Sequence, residues 1–249
     1  SPHRNQAMKY KEIYNFRRKI NFYKELCERP DKLGFALYRF KWNFYPRFHL
    51  VPRFPLHVDI EVTDACNLRC IMCVHGTGTK IETGSMDPDF AKEMIRQSAD
   101  GGAYSLKFNW RGEPALYRHL PQLIRFAKEN GIREVQLNTN GLPFTPGTIS
   151  EYLDSGLDRI IISVDGNSKE TYEKIRIGGD FNRLVRNIES FVQQKRDRMQ
   201  SKPFVRVQLV RMQENLFEIE DFRRRWEKRV DDIRISDVTD RGQRANSGL

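Results

Sequence analysis

From residue 56 onward, short runs rich in β-branched and aromatic residues alternate with stretches of ten to twenty residues whose apolar positions recur every three or four. The runs predict strands over Leu56–Thr63, Tyr104–Asn109, Glu134–Thr139, Arg159–Asp165, Phe204–Val210 and Asp232–Val238. The stretches between them predict helices over Asp87–Gly101, His119–Asn130, Gly147–Ser155, Ser168–Arg176 with Phe181–Arg198, and Asn215–Lys228. Asp87-Pro88 reads as a cap followed by proline at the first helical position, and Gly101-Gly102, Asn130-Gly131 and Gly156 read as helix stops. Strands alternating with helices predict βαβ units, hence an α/β fold with a parallel sheet, curled into a barrel or left open. Ligands of such sheets bind at the carboxyl ends of the strands, so chemistry is expected just after each one.

Before residue 56 the pattern is different. Ile13, Phe16, Ile20, Tyr23 and Cys27 mark one face of a helix over Asn5–Glu28, on which Cys27 reads as a buried structural thiol. Pro30-Asp31 opens a second helix with Leu33, Leu37, Phe40 and Phe44 on one stripe, and Pro46, Pro52 and Pro55 end it in an extended linker. This segment holds 13 Lys/Arg against 4 Asp/Glu and 13 of the 28 aromatic residues, whereas the rest of the chain is nearly neutral at +1. The chain therefore divides into a basic, aromatic helical extension over residues 1–55, an α/β body over 56–240, and a tail over 241–249 that reads as truncated.

With 249 residues, 39% hydrophobic and 31% charged, the chain is long enough for a core without disulfide staples and is not a disordered tail. No apolar run approaches the ~20 residues of a membrane span. The net charge of +10 leaves open nucleic acid, an anionic membrane surface or an acidic partner, and nearly all of it sits in the extension. Three of the four cysteines fall within eight residues, Cys66, Cys70 and Cys73, which is no disulfide framework and points to a metal site in a reducing, cytoplasmic compartment.

That cysteine run follows directly on the first strand. Three thiolates on one short loop can hold three corners of a cubane 4Fe-4S cluster, leaving one iron open for a substrate or cofactor. The other reading is a structural zinc site completed by His75, although zinc knuckles usually carry their cysteines as two pairs.

The Cys66-x3-Cys70-x2-Cys73 motif resembles that of the radical S-adenosylmethionine (SAM) superfamily, and three more segments match in order. Arg111-Gly112-Glu113-Pro114 follows the second strand like the family's Gly-Gly-Glu-Pro. Asn138-Thr139-Asn140-Gly141 ends the third strand, and Ile162-Ser163-Val164-Asp165-Gly166 the fourth. Lys174–Phe181 with Val185–Ile188 resembles the branch that usually carries a C-terminal twitch or SPASM domain. The resemblance covers about residues 56–240 and implies a partial (β/α)6 barrel holding a 4Fe-4S cluster and SAM at its open end. It implies Cys66, Cys70 and Cys73 as cluster ligands, and reductive cleavage of SAM to a 5′-deoxyadenosyl radical that abstracts hydrogen from the substrate.

It also implies SAM contacts, each with a plainer reading beside it. Gly112 allows close backbone approach and Glu113 can accept from the SAM ammonium, or the pair is simply a strand-to-helix turn. Asn140, Ser163 and Asp165 can hold ribose hydroxyls, or form ordinary turns. Arg176 can reach the SAM carboxylate, or is a solvated helix-end arginine. Arg111 departs from the family's first glycine, which bears on the local backbone geometry.

The substrate expected is a small, sugar- or aminocyclitol-like molecule, since the extension lacks the β-wing pattern of a leader-peptide-binding domain. A reductant such as flavodoxin or ferredoxin is the implied partner. Peptide, acidic-partner or RNA modification through the basic extension stays open, as does a zinc-containing nucleic-acid-binding protein. No cysteine follows Cys73, so an auxiliary cluster either belongs to a part of the protein beyond this chain or is not used.

Overall fold

The computed structural model of the chain describes residue 26 and residues 31–78 and 83–238. The helix expected over residues 5–28, Leu26 apart, lies outside the described residues, and so do Cys27 and the tail 241–249. The molecule divides into two compact units, one ending at Leu56 and the other beginning at His57.

In the first unit, helix α1 (Lys32–Arg47) starts at Asp31, whose carboxylate accepts from the Gly34 N–H at 3.1 Å and so caps an open donor of the first turn. The stripe of Leu33, Leu37 and Phe40 is exposed, Leu33 at 83%, and the buried residues are Phe35 and Tyr38. Burial thus falls on a stripe beside the one read from the sequence. Phe35, Tyr38 and Trp42 are also three and four apart, with ring centroids 6.5 and 5.9 Å from one another, and periodicity alone does not choose between two such stripes. Pro46 lies inside the last turn, where few carbonyls still await a donor, and α1 ends one residue beyond it.

The second unit runs β1 (His57–Ile60), β2 (Arg69–Cys70), α2 (Pro88–Asp100), β3 (Ser105–Phe108), α3 (Leu120–Glu129), β4 (Glu134–Thr139), α4 (Pro146–Asp154), β5 (Arg159–Ser163), α5 (Lys169–Ile175), β6 (Arg176–Ile177), α6 (Phe181–Asp197), β7 (Phe204–Arg211), α7 (Ile219–Trp226) and β8 (Asp232–Asp237). The expected cap at Asp87 forms, its carboxylate accepting from the N–H groups of Asp89 and Phe90, both at 3.0 Å. Where one helix was expected over 215–228, a 3-10 segment (Gln213–Glu218) precedes α7. Asn215 is responsible: its side chain accepts from Met212 N–H at 2.8 Å and donates to the carbonyls of Asp165 and Val210 at 3.0 and 2.8 Å, offering the backbone an alternative to the helix.

Six strands form one sheet in the order β1-β3-β4-β5-β7-β8, and every neighbouring pair is parallel. The strands β1 and β8 stand at the two edges and do not pair, so the sheet is an open, partial barrel. Side chains alternate between faces with period two. One row in register across five strands, Ile60, Phe108, Leu137, Ile160 and Val205, is buried and apolar. The adjacent row, Asp59, Lys107, Gln136, Arg159 and Phe204, is polar at four of five positions and lines the opposite face. Separately, β2 and β6 form a two-residue antiparallel pair that no periodicity could announce.

Candidate active site

The loop after β1 carries the three cysteines and is anchored from several sides. In the β2–β6 pair Cys70 stands opposite Arg176, and the Ile71 N–H donates to the Ile175 carbonyl at 3.0 Å. The guanidinium of Arg176 lies along the sulfur, Nη1 to Cys70 Sγ at 3.8 Å, while its Nε and Nη2 reach Asp165 Oδ2 at 2.8 and 2.6 Å. The other oxygen of Asp165 accepts from Val210 N–H at 2.7 Å, so this fully buried carboxylate is committed on both sides to holding the arginine and the end of β7. Past Cys70 the chain turns back sharply: Cys73 N–H donates to the Cys70 carbonyl at 2.9 Å, and a Cβ on Gly76 would lie 2.1 Å from that same oxygen. Only glycine fits there.

Electrostatics follow from this packing. Burial pushes the Cys70 thiol up to about 11, opposed by Arg176, and raises the half-buried Cys66 thiol, opposed by the Leu68 N–H at 3.5 Å from its sulfur. Burial works against the charge of Arg176, but Asp165 outweighs it and holds the guanidinium protonated. His75, the ligand that would complete a zinc site, is buried beside the turn, and burial favours its neutral ring.

The loop after β3 is fastened to the cysteine loop. The N–H groups of Arg111 and Gly112 donate to Glu61 Oε1 at 2.7 and 3.0 Å, and Glu113 N–H donates to the Ala65 carbonyl at 2.8 Å. Gly112 is required because a Cβ would lie 2.0 Å from the Thr63 oxygen, so the close approach it permits is to the strand end leading into the cysteines. The Glu113 carboxylate, buried at the end of the sheet, accepts from Thr139 Oγ1 at 2.5 Å, from Asn140 N–H at 2.6 Å and from Ala115 N–H at 3.0 Å. Burial raises its pKa and these three bonds oppose the rise. Asn140 in turn donates from Nδ2 to Asn67 Oδ1 at 2.8 Å, which joins the end of β4 to the residue after Cys66.

One network therefore connects Cys66, Cys70 and Cys73 with Gly112, Glu113, Asn140, Asp165 and Arg176. Ser163 closes β5 at the same edge, and its hydroxyl has no protein partner among the described residues. Three residues given no role by the sequence hold this network together: Glu61 just past β1, Asn67 inside the cysteine run, and Thr139 inside the segment that ends β4. Next to Arg111, Trp110 takes φ of 140°, a conformation L residues rarely adopt, and is 52% exposed at the end of β3.

Among the described residues no three His, Cys, Asp or Glu side chains are grouped closely enough to hold a single metal ion. Three thiol side chains on one loop, one of them beside a protonated arginine, are a soft donor set of the kind that binds iron–sulfur clusters. That fits the 4Fe-4S cluster.

Comparison with known proteins agrees. Residues 60–205 match the model of the Radical SAM superfamily. The probable GTP 3′,8-cyclase of Methanococcus maripaludis (strain C5) is 32% identical over 135 residues, which cover 54% of this chain and 44% of that protein. The crystal structure of Streptococcus suis SuiB bound to S-adenosylmethionine superposes with a TM-score of 0.62 at 20% identity, covering 78% of this chain and 43% of that one. Methylornithine synthase (PylB) gives a TM-score of 0.59 at 18% identity over 91% of this chain and 68% of its own. The chain thus spans less than half the length of the curated relatives it matches. The superfamily works with a 4Fe-4S cluster and SAM, the zinc reading falls away, and by both its strand-end motifs and this match the chain belongs to the radical SAM superfamily.

Proposed function

We propose that this protein is a radical SAM enzyme in which Cys66, Cys70 and Cys73 hold a 4Fe-4S cluster, and that it abstracts hydrogen from a small, sugar- or aminocyclitol-like molecule. The observation that carries the reading is the hydrogen-bonded network at the carboxyl edge of the sheet, which fixes the cysteine loop to the ends of β3, β4 and β5. When bound, the cluster and SAM supply a 5′-deoxyadenosyl radical, and the protein contributes position and exclusion of water.

The residues divide that work. Arg176, held by Asp165, places fixed positive charge beside Cys70 and favours its thiolate. Glu113 fixes the backbone of Asn140 and through it the end of β4, and its Oε2, with a single protein donor, keeps capacity to accept from the ammonium of SAM. Ser163 offers an uncommitted hydroxyl to a ribose, and Asn140 and Asp165, largely engaged by the protein, shape the edge on which that ribose lies. A flavodoxin- or ferredoxin-like reductant supplies the electron, in a reducing, cytoplasmic setting. Among the described residues no helix is long and apolar enough to cross a membrane.

The curated relatives named GTP 3′,8-cyclases act, by that name, on a nucleotide, which supports a small molecule over a peptide or RNA. The test is substrate-stimulated SAM cleavage. Anaerobic incubation with pools of sugars, aminocyclitols and nucleotides is expected to raise 5′-deoxyadenosine formation above the rate without substrate. Stimulation by a peptide or RNA alone would overturn the small-molecule reading.

A further inference from the structure

The face of the sheet opposite the helices carries more arginine than packing needs. Three rows in register cross it. Arg159 stands beside Gln136 and Phe204; Arg206 stands between Ile161 and Asp232; Arg234 stands beside Gln208, which is itself beside Ser163. The first of these arginines lies 4.7 Å over the Phe204 ring and 3.5 Å from Glu134. Arg206 donates from Nε to Asp232 Oδ2 at 2.6 Å, while no protein hydrogen bond from its Nη atoms to another described residue is found. Arg234 is exposed. Among the described residues these three arginines share the face with the carboxylates of Glu134 and Asp232, and both other arginines bear on Arg206: burial, then Arg159 and Arg234, pull its pKa down against the opposing pull of Asp232. A parallel sheet packed on both faces would carry apolar residues at these positions.

Position gives the patch its meaning. Ser163 and Arg234 are two strand spacings apart in one row, so the arginines begin ~10 Å from the hydroxyl assigned to the ribose of SAM and extend down the face away from the cysteine loop. We infer that Arg206 and Arg234, with Arg159 behind them, form a subsite for an anionic group of the substrate, a phosphate or a carboxylate. A planar guanidinium fork matches either anion in bidentate fashion, and the half-buried setting strengthens the contact. The inference rests on the radical SAM reading above and deepens it: the sugar-like substrate is a charged one, gripped by its anion on β7 and β8 with its neutral part directed toward the edge where SAM lies.

The test uses the full chain, anaerobically reconstituted and loaded with SAM, titrated by calorimetry with pyrophosphate and, separately, with tricarballylate. At least one of them is expected to bind, pyrophosphate marking a phosphate subsite and tricarballylate a carboxylate one, and R234Q and R206Q are each expected to weaken that binding at least tenfold while SAM affinity changes less than twofold. Should R206Q fail to fold, R234Q on an exposed position carries the test alone. Absence of binding by both anions, or equal binding by wild type and R234Q, would overturn the subsite. Formation of 5′-deoxyadenosine with dithionite, measured on the same samples, reports separately on the enzymatic reading, which stands if wild type cleaves SAM even where anion binding fails.

Discussion

Across the row of Ile60, Phe108, Leu137, Ile160 and Val205 the sheet is apolar and closed, whereas one residue along each strand the row of Asp59, Lys107, Gln136, Arg159 and Phe204 is mostly charged or polar. The same backbone hydrogen bonds support both rows. What differs is the neighbour: helices cover the first face, and the second lines the hollow of an open barrel. Sheets sandwiched between helices read as continuous apolar runs, so the alternation along β4 and β7 marks a face kept polar for something other than packing. Apolar packing and polar side chains lie on opposite sides of one element, and each can be altered while the other is watched.

The largest effect lies at the edge where the two faces end. Cys66→Ala, Cys70→Ala or Cys73→Ala is expected to reduce bound iron and the brown absorption to background and to abolish SAM cleavage, with the thermal unfolding of the iron-free protein little changed; iron analysis and calorimetry read the two sides of this.

On the closed face, Leu137→Ala removes a fully buried side chain and should cost about 2–5 kcal/mol in denaturant unfolding of the iron-free chain. SAM cleavage per folded molecule should persist. A loss under 1 kcal/mol would mean that this face is not the core.

Gly112→Ala adds a methyl 2.0 Å from the Thr63 oxygen, an overpacking expected to cost about 1–3 kcal/mol and, since the displaced segment leads into Cys66, to slow cluster loading. Glu113→Gln keeps the shape but turns one acceptor into a donor among groups that already donate, at a cost of about 1–3 kcal/mol. A silent Glu113→Gln in both unfolding and SAM binding would break the network described here.

The smallest effects belong to exposed or polar positions. Gln136→Ala, one position from Leu137, loses a long 3.3 Å bond to Ser105 and is expected to cost about 1 kcal/mol or less, and Leu33→Ala on the exposed stripe of α1 no more than about 0.5 kcal/mol. Equal losses for Gln136→Ala and Leu137→Ala would erase the contrast between the faces.

The strands themselves, though not which of their faces is polar, were legible in the sequence because their signals are local. Alternation along a strand, a cap such as Asp87-Pro88 and a glycine at a helix end are written within a few residues of one another, and all six strands of the sheet follow from them. The cysteine motif and the turn glycines are equally local. What could not be read depends on residues distant in the chain: Glu61 meets Arg111 and Gly112 across 50 and 51 positions, and Asn67 meets Asn140 across 73. The two-residue strands β2 and β6 are too short to carry any period, yet they bring Arg176 to Cys70. In α1 the helix itself is legible but its buried face is not, since apolar residues lie on two stripes.

The central claim is that the carboxyl edge of this sheet holds a catalytic 4Fe-4S cluster that cleaves SAM. Anaerobic reconstitution with iron and sulfide, followed by a single assay for 5′-deoxyadenosine with SAM and dithionite, tests it most directly. A brown protein with about four irons per chain that produces 5′-deoxyadenosine is the predicted result, and a colourless protein that leaves SAM intact would contradict it.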